Sequence, residues 1–356
     1  MATAAEPAPI DAVLLLSFGG PEGPDDVLPF LENVTRGRGI PAERLAEVAE
    51  NYHLFGGRSP INDHNRELLA ALRADFDAHG LGDLPIYWGN RNWHPYLEDT
   101  MRTMVADGVR NAVAFVTSAY SSYSGCRQYR EDIATAQAAI GPDAPQVGKI
   151  RAFFNHPGFV EPMIDRVRAT LAEVPADLAA DVELVFTAHS IPLASASTCD
   201  YEAQLRETMR LVLAGLDADY PHDLVWQSRS GPPQVPWLEP DVVAHLDAVA
   251  GRGRRAVVIV PVGFVSDHME VIYDLDTQAL ARAAEIGLWA RRAPTVGCDP
   301  AFVAMVRELV EERRATEPLR RALGVLGTRP DVCPLDCCPA PVRPTQQPGR
   351  PPGRPS

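Results

Sequence analysis

The sequence predicts an α/β protein of two similar domains, each a parallel sheet flanked by helices, with a cleft between them. Three observations carry this reading. Short apolar runs bounded by turn residues alternate with helical-period segments, the pattern of parallel sheets covered on both faces. Two pairs of segments echo each other at a nearly constant offset. IYWGNRNWHPYLEDT from Ile86 is matched by LVWQSRSGPPQVPWLEPD from Leu224, and NAVAFVTSAYSSYSGC from Asn111 by RAVVIVPVGFVSDHME from Arg255. Finally, 356 residues are too many for one small core and suit two domains of ordinary size. Two copies are too few for a solenoid, so a duplicated α/β domain is the better reading, its strand carboxyl ends lining the cleft.

The elements follow in chain order. Ala12–Phe18 is a buried strand stopped by Gly19, Gly20 and Pro21. Asn62–His79 is an amphipathic helix with Leu68, Leu69, Leu72 and Phe76 on one stripe. Leu84–Trp88 and Ala112–Thr117 are strands. Between them a helix starts at His94, with Pro95 suited to its first turn; Leu97, Met101, Met104 and Val105 share a face, and Gly108 closes it. The second half repeats the alternation. Strands are expected at Val182–Thr187, Leu224–Gln227 and Ala256–Val262, with helices around Val160–Leu171, Tyr201–Leu216 and Val242–Val249. The domains are placed at residues 10–155 and 156–328. A cysteine-rich loop follows at 329–340, then a Pro/Gly/Arg-rich tail, 341–356, expected to be disordered.

Bulk properties exclude several classes. A hydrophobic fraction of 46% with 22% charged residues is that of a globular chain. A net charge of −14 leaves no basic surplus to displace counterions from nucleic-acid phosphates. Lys149 is the only lysine, so positive charge is carried almost wholly by arginine. The start, MATAAEPAPIDA, has neither a basic region nor an apolar stretch, and no run of about 18 apolar residues occurs. A cytoplasmic protein without a membrane span is expected. In that reducing compartment the six cysteines are thiols or metal ligands rather than disulfides.

Two places carry candidate chemistry. His189, in VELVFTAHSIP, ends a strand and projects toward the cleft, with Pro192 turning the chain away. A neutral imidazole there accepts a proton near neutrality or ligates a borderline metal such as Fe²⁺. A histidine simply hydrogen-bonded at the start of a loop is the plainer alternative. The matching place in the second repeat holds Asp267, His268, Glu270, Asp274 and Asp276. Glu270, Asp274 and Asp276 are expected to share a helical face. Such a row of carboxylates is costly to bury without a cation or proton traffic, although acids at a solvated helix start are also common.

The segments SFGGPEGPDDV, TRGRG, FGGRSPIND, FTAHSIP, VWQSRSGPPQVPWLEPD and VPVGFVSDHMEVIYDLD, in that order, closely resemble those of ferrochelatases. The resemblance covers about residues 10–315 and implies two Rossmann-like, chelatase-type domains. It implies insertion of Fe²⁺ into a porphyrin, with the bacterial branch that uses coproporphyrin III the nearest in pattern. Fe-coproporphyrin III would be the product, later decarboxylated to haem b. Protoporphyrin IX as substrate, or a related chelatase for cobalt or nickel, is the alternative; a non-enzymatic iron–sulfur protein is a third reading. Carried across, His189 and Glu270 handle the metal and the pyrrole protons and face each other over the two sides of the macrocycle. His189 is assigned as base and first iron ligand, and Glu270 with Asp274 as relay; the sequence leaves open which delivers metal and which takes protons. Ser59, Tyr52, Tyr129, Arg36 and Arg38 match porphyrin-contacting positions. Phe18 stands where some bacterial members have a tyrosine, and a phenyl ring cannot ligate iron. Implied partners are the porphyrin, ferrous iron and, transiently, neighbouring haem-pathway enzymes.

Cys333, Cys337 and Cys338 form C-x₃-C-C, one thiolate short of a tetrahedral set. The resemblance implies a [2Fe–2S] cluster bound by these three and one distant cysteine, Cys126. Cys199 is the rival for that place because it lies near His189 in sequence.

Overall fold

The computed structural model describes residues 9–231 and 234–341; most of the predicted tail lies outside the described residues. The first half runs β1 (Ala12–Ser17), α1 (Val27–Val34), α2 (Ala42–His53), α3 (Ile61–Ala78), β2 (Ile86–Asn90), α4 (Leu97–Ala106), β3 (Asn111–Val116), α5 (Gln128–Ile140) and β4 (Gln146–Lys149). The second runs α6 (Pro157–Leu171), β5 (Val182–His189), α7 (Leu193–Ala196), α8 (Tyr201–Ala214), β6 (His222–Gln227), α9 (Val242–Gly251), β7 (Ala256–Val260), α10 (Met269–Val271), α11 (Leu280–Glu285), β8 (Trp289–Arg292) and α12 (Pro300–Arg314). Each half forms one four-stranded sheet with the same order, β2-β1-β3-β4 and β6-β5-β7-β8, and every pairing is parallel. The echo seen in the sequence is therefore a duplicated sheet.

Alternation along the central strands explains the packing. Val13, Leu15, Val113 and Phe115 face one core, shared with Leu184, Phe186, Val258 and Val260 of the second sheet. The opposite faces are sealed separately. Leu14, Leu16 and Ala114 pack with Met101, Met104 and Ile133 of α4 and α5, while Val185, Val225 and Val257 pack with Leu246, Val249 and Ala283 of α9 and α11. Strands buried on both sides need continuous apolar sequence, which is why they were legible.

The two halves exchange helices. α6 follows the first sheet yet packs on β7 and α8; α12 follows the second yet packs on α3 and β3, and the two helices also pack on each other. A buried bidentate ion pair fixes this crossing. Arg151, just past β4, reaches Glu312 of α12 at 2.8 Å and 3.0 Å, with the two side chains 0% and 3% exposed.

Several expectations need correction. The helix expected from His94 starts at Leu97, because the Pro95 carbonyl accepts a bond from Asn90 N–H at 2.7 Å and Tyr96 bridges to Asn90, holding the chain extended. The edge strands β4 and β8, half-exposed and polar, have no apolar run to announce them. Among the described residues, no helix is long and apolar enough to cross a membrane.

Replacing Glu312 with Ala strands the Arg151 charge in the interior. The expected cost is about 3–5 kcal/mol, read as a lowered urea midpoint; an unchanged midpoint would show that α12 is held by packing alone.

Candidate active site

The carboxyl ends of β5, β6 and β7 converge on one group of side chains, the position where parallel sheets present ligand-binding residues. His189 is the last residue of β5 and lies opposite Gln227, the last of β6, in the strand register. The chain after β7 turns through Phe264–His268 into α10 and then into a π-helical turn, Ile272–Ala279. Such wide turns recur at functional sites. Here it brings Glu270 and Asp274 over the ends of β5 and β6. His189 Nε2 stands 3.7 Å from Glu270 Oε1. Gln227 donates to the Glu270 carbonyl at 3.1 Å and to Asp274 Oδ2 at 3.4 Å, and the Ser228 hydroxyl also donates to Asp274 Oδ2. Ser228 holds this position with φ at +60°, a conformation a serine adopts only at a cost.

The tautomer of His189 is set by its backbone. Nδ1 faces the Ser190 carbonyl, which accepts its proton, so Nε2 is the nitrogen that titrates toward Glu270. The Tyr201 hydroxyl donates to the His189 carbonyl at 3.0 Å and anchors the strand end. Burial opposes the imidazolium, but the Glu270 charge and hydrogen bond, the Ser190 carbonyl and Asp274 outweigh it, and the pKa of His189 lies above its ordinary value. Burial works against the Glu270 carboxylate too, yet His189 and His268 hold its pKa down at about 2. Asp274 goes the other way: burial, and then the nearby Glu270 charge, push it up to about 6 against its hydrogen bonds. The His189 and Glu270 side chains are 32% and 47% exposed, so the pair meets solvent on one side while protein crowds the other. The result is a fixed carboxylate flanked by two groups that exchange protons nearer neutrality.

This geometry corrects two expectations. His189 and Glu270 are neighbours on one wall and do not face each other across a ring, because each face of a flat macrocycle needs about 3.5 Å of clearance and the gap is 3.7 Å in all. Asp276 does not share the face of Glu270 and Asp274. The wider π winding turns it to Arg292, which binds it at 2.5 Å and 2.8 Å and also takes Asp267 at 2.9 Å.

The first half supplies an aromatic wall. Phe18, exposed at the end of β1, makes an edge contact with Phe30, which also touches Tyr52 and Trp93 edge-on. Tyr52 reaches the second half: burial and then the Glu270 charge raise its pKa. Gly19 makes the turn after Phe18, with φ at +82°, and a Cβ there would stand 2.8 Å from Asn90 Cβ. Arg36 and Arg38 are exposed between α1 and α2, with Arg36 beside Tyr96. Ser59 and Tyr129 are buried, and Arg91, 5.8 Å from the Phe18 ring centroid, links Tyr129 to this group. Ser59 is buried behind Gly20. Tyr129 lies in the α4–α5 core under the Arg91 guanidinium, 4.5 Å from the ring centroid. Sequence reading did not single out Trp93, Gln227, Ser228 or Tyr201. Trp93, Gln227 and Ser228 lie within repeated segments near strand ends, a signal of position alone, while Tyr201, the first residue of α8, had none.

A ferrochelatase family profile matches residues 10–314. The coproporphyrin III ferrochelatase of Streptomyces griseus is 57% identical, over 94% of this chain and 95% of that protein. The chain belongs to the ferrochelatase family. Its counterpart from Streptomyces coelicolor is 56% identical over 94% of each chain, and a ferrochelatase from Rhodopirellula baltica 54% identical over 96% of this chain and 97% of its own. Among solved structures, SirB of Bacillus subtilis with Fe³⁺ superposes with a TM-score of 0.50 at 13% identity, covering 85% of this chain and 97% of that one. At that identity the likeness speaks for the chelatase fold alone.

A second constellation joins a turn of the first half to the loop beyond residue 314, where the family match ends. Cys126 sits in the π-helical turn Tyr123–Arg127 that follows β3, and Arg127 ties this turn to the C-terminal loop by donating to the Leu335 and Cys337 carbonyls. Cys337 and Cys338 have sulfurs 3.4 Å apart. Burial and then Cys337, Cys126 and Cys199 raise the Cys338 thiol, and burial and then Cys337 raise Cys333. Cys333, Cys337 and Cys338 on this loop and Cys126 on the turn tied to it are soft donors of the kind suited to an iron–sulfur group. Cys199 also approaches, but its sulfur is turned to the Ser195 carbonyl at 3.2 Å.

The electrostatic account is testable by NMR titration of the His189 ring. In the parent its pKa is expected above about 6.5, the ordinary value. Glu270→Gln removes the carboxylate that favours the imidazolium, so the pKa falls and deprotonation moves to lower pH; an unshifted curve would refute the coupling.

Proposed function

We propose that this chain inserts Fe²⁺ into coproporphyrin III, giving Fe-coproporphyrin III on a route to haem b, as a cytoplasmic enzyme. The observation that carries the reading is the imidazole–carboxylate pair at the strand ends of a chain 57% identical to a coproporphyrin III ferrochelatase. Before any substrate arrives Glu270 is a carboxylate, and its charge favours the protonated form of His189. A ferrous ion approaching Glu270 repels the His189 proton, and the freed Nε2 becomes its ligand. Asp274, poised at about 6, takes a proton at neutral pH and passes it to solvent. Asp274 carries the proton displaced from His189 to solvent. Two pyrrole protons must then leave for one metal to enter, and His189 Nε2, freed as the iron passes to the ring nitrogens, accepts one while the emptied Asp274 accepts the other. The macrocycle lies to one side of the pair, with Phe18 and Tyr52 as its apolar contacts and Arg36 and Arg38 at the propionate rim. Phe18 offers no ligand to the product iron, which eases its release.

Cys126, Cys333, Cys337 and Cys338 would hold a [2Fe–2S] cluster, which supplies cross-linking of the C-terminal loop and, where required, one-electron chemistry. Insertion itself is not a redox step.

Anaerobic turnover with Fe²⁺ tests the substrate. Coproporphyrin III is expected to be consumed faster than protoporphyrin IX, and His189→Ala to lose at least about 100-fold in turnover while still binding porphyrin. Equal use of both porphyrins would contradict the substrate assignment, and an active His189→Ala the catalytic one. For the cysteines, Cys126→Ser is expected to purify without charge-transfer absorption or acid-labile sulfide, and Cys199→Ser to keep both. The reverse outcome would exchange their roles.

A further inference from the structure

At the amino end of the second sheet, away from the strand ends that carry His189, three potential ligands meet. Glu183 is on β5, Asp223 on β6 and His245 on α9. Glu183 stands six positions before His189 along β5, about 20 Å at 3.3 Å per residue. Glu183 and His245 are buried where apolar side chains otherwise fill the space between α9 and the sheet. Among the described residues, these three are the one set of His, Cys, Asp or Glu side chains whose donor atoms all lie within 4.8 Å of one another.

His245 is the independent sign of a ligand. It is 6% exposed, and its Nε2 is buried without a hydrogen-bond partner. That atom is aimed at the two carboxylates, 3.4 Å from Glu183 Oε1 and 3.5 Å from Asp223 Oδ2. A buried ring nitrogen left unpaired costs free energy unless something occupies the space it faces. A tetrahedral zinc with nitrogen and oxygen ligands at about 2.0–2.2 Å sets its ligand atoms about 3.3–3.6 Å apart. The observed separations fall in that range.

We propose that Glu183, Asp223 and His245 form a structural site for a divalent transition-metal ion, zinc by preference, that clips α9 to β5 and β6. Two carboxylates and one neutral imidazole leave a fourth position for water. Arginine now shares this place. Arg252 Nη2 lies 2.5 Å from Glu183 Oε1 and 3.7 Å from Asp223 Oδ2, and Arg254 Nε is 3.8 Å from Glu183 Oε2. Arg252 is half-exposed and free to swing outward, so it competes with the ion for Glu183 and Asp223. A site of this composition holds zinc more tightly than ferrous iron, which keeps it from drawing off the iron used in catalysis.

The test uses the full chain, stripped with a chelator, incubated with zinc chloride alone and freed of loose ion by gel filtration. Metal per chain is compared between the parent and Asp223→Asn or His245→Gln. The active site and the cysteine loop are unchanged in all three, so zinc held there cancels in the difference. Each variant is expected to carry one zinc fewer than the parent, and zinc to raise the melting temperature of the parent but not of Asp223→Asn. Arg252→Ala is expected to bind zinc more tightly than the parent. Should His245→Gln fail to fold, Asp223→Asn, altered at a half-exposed side chain, decides alone. Equal zinc content in the parent and Asp223→Asn overturns the proposal.

Discussion

The contact between His189 and Glu270 is the constraint from which the rest of the site follows. An imidazole and a carboxylate 3.7 Å apart cannot titrate independently. Each makes the other's charged form more favourable, so the resting pair is ionic although burial works against both charges. That arrangement suits a dication substrate. Glu270, with its pKa at about 2, stays charged at any working pH, and its charge favours the proton on His189. The surrounding groups maintain the pair: the Ser190 carbonyl fixes the tautomer, Tyr201 holds the strand end, and Gln227 pins the backbone at Glu270.

Holding a side chain from a strand end and one from a helix at this spacing needs a stiff frame. The duplicated sheets share one core, and the exchange of α6 and α12 makes each half a wall of the other. Tyr120 ties the two strand-end loops together, its hydroxyl donating to the Val262 carbonyl at 2.7 Å. The repeat also has a chemical side. The alignment that pairs Asn111 with Arg255 sets Cys126 opposite Glu270, and each lies in or just before the π-helical turn of its half. The same backbone device thus presents a functional-group side chain twice, a carboxylate beside His189 and a thiol beside the C-terminal loop.

Buried strands and amphipathic helices were legible because burial on two faces writes continuous apolar runs and burial on one writes a helical period. Both signals vanish at the polar edge strands β4 and β8. Motif resemblance placed His189, Glu270 and Asp274 in one site, and the structure does group them. It could not give their relative orientation, since the side on which a residue stands depends on how a π-helical turn winds, and i to i+4 reasoning assumes an ordinary helix. The same assumption put Asp276 with Glu270 when Arg292 holds it elsewhere. Ser59 and Tyr129 carried family pattern but no burial signal; both are buried, Tyr129 under the Arg91 guanidinium that also covers Phe18. Trp93 and Ser228 act through loop geometry that no periodicity encodes.

A crystal structure of the protein soaked with metal-free coproporphyrin III tests the central claim most directly. The account requires the ring against one side of the His189–Glu270 pair, in contact with Phe18 and Tyr52, its central nitrogens within reach of His189 Nε2. A ring bound instead in the groove of about 580 Å³ along β2, lined by Leu69, Trp88 and Thr100, with His189 and Glu270 still open to solvent, would contradict it.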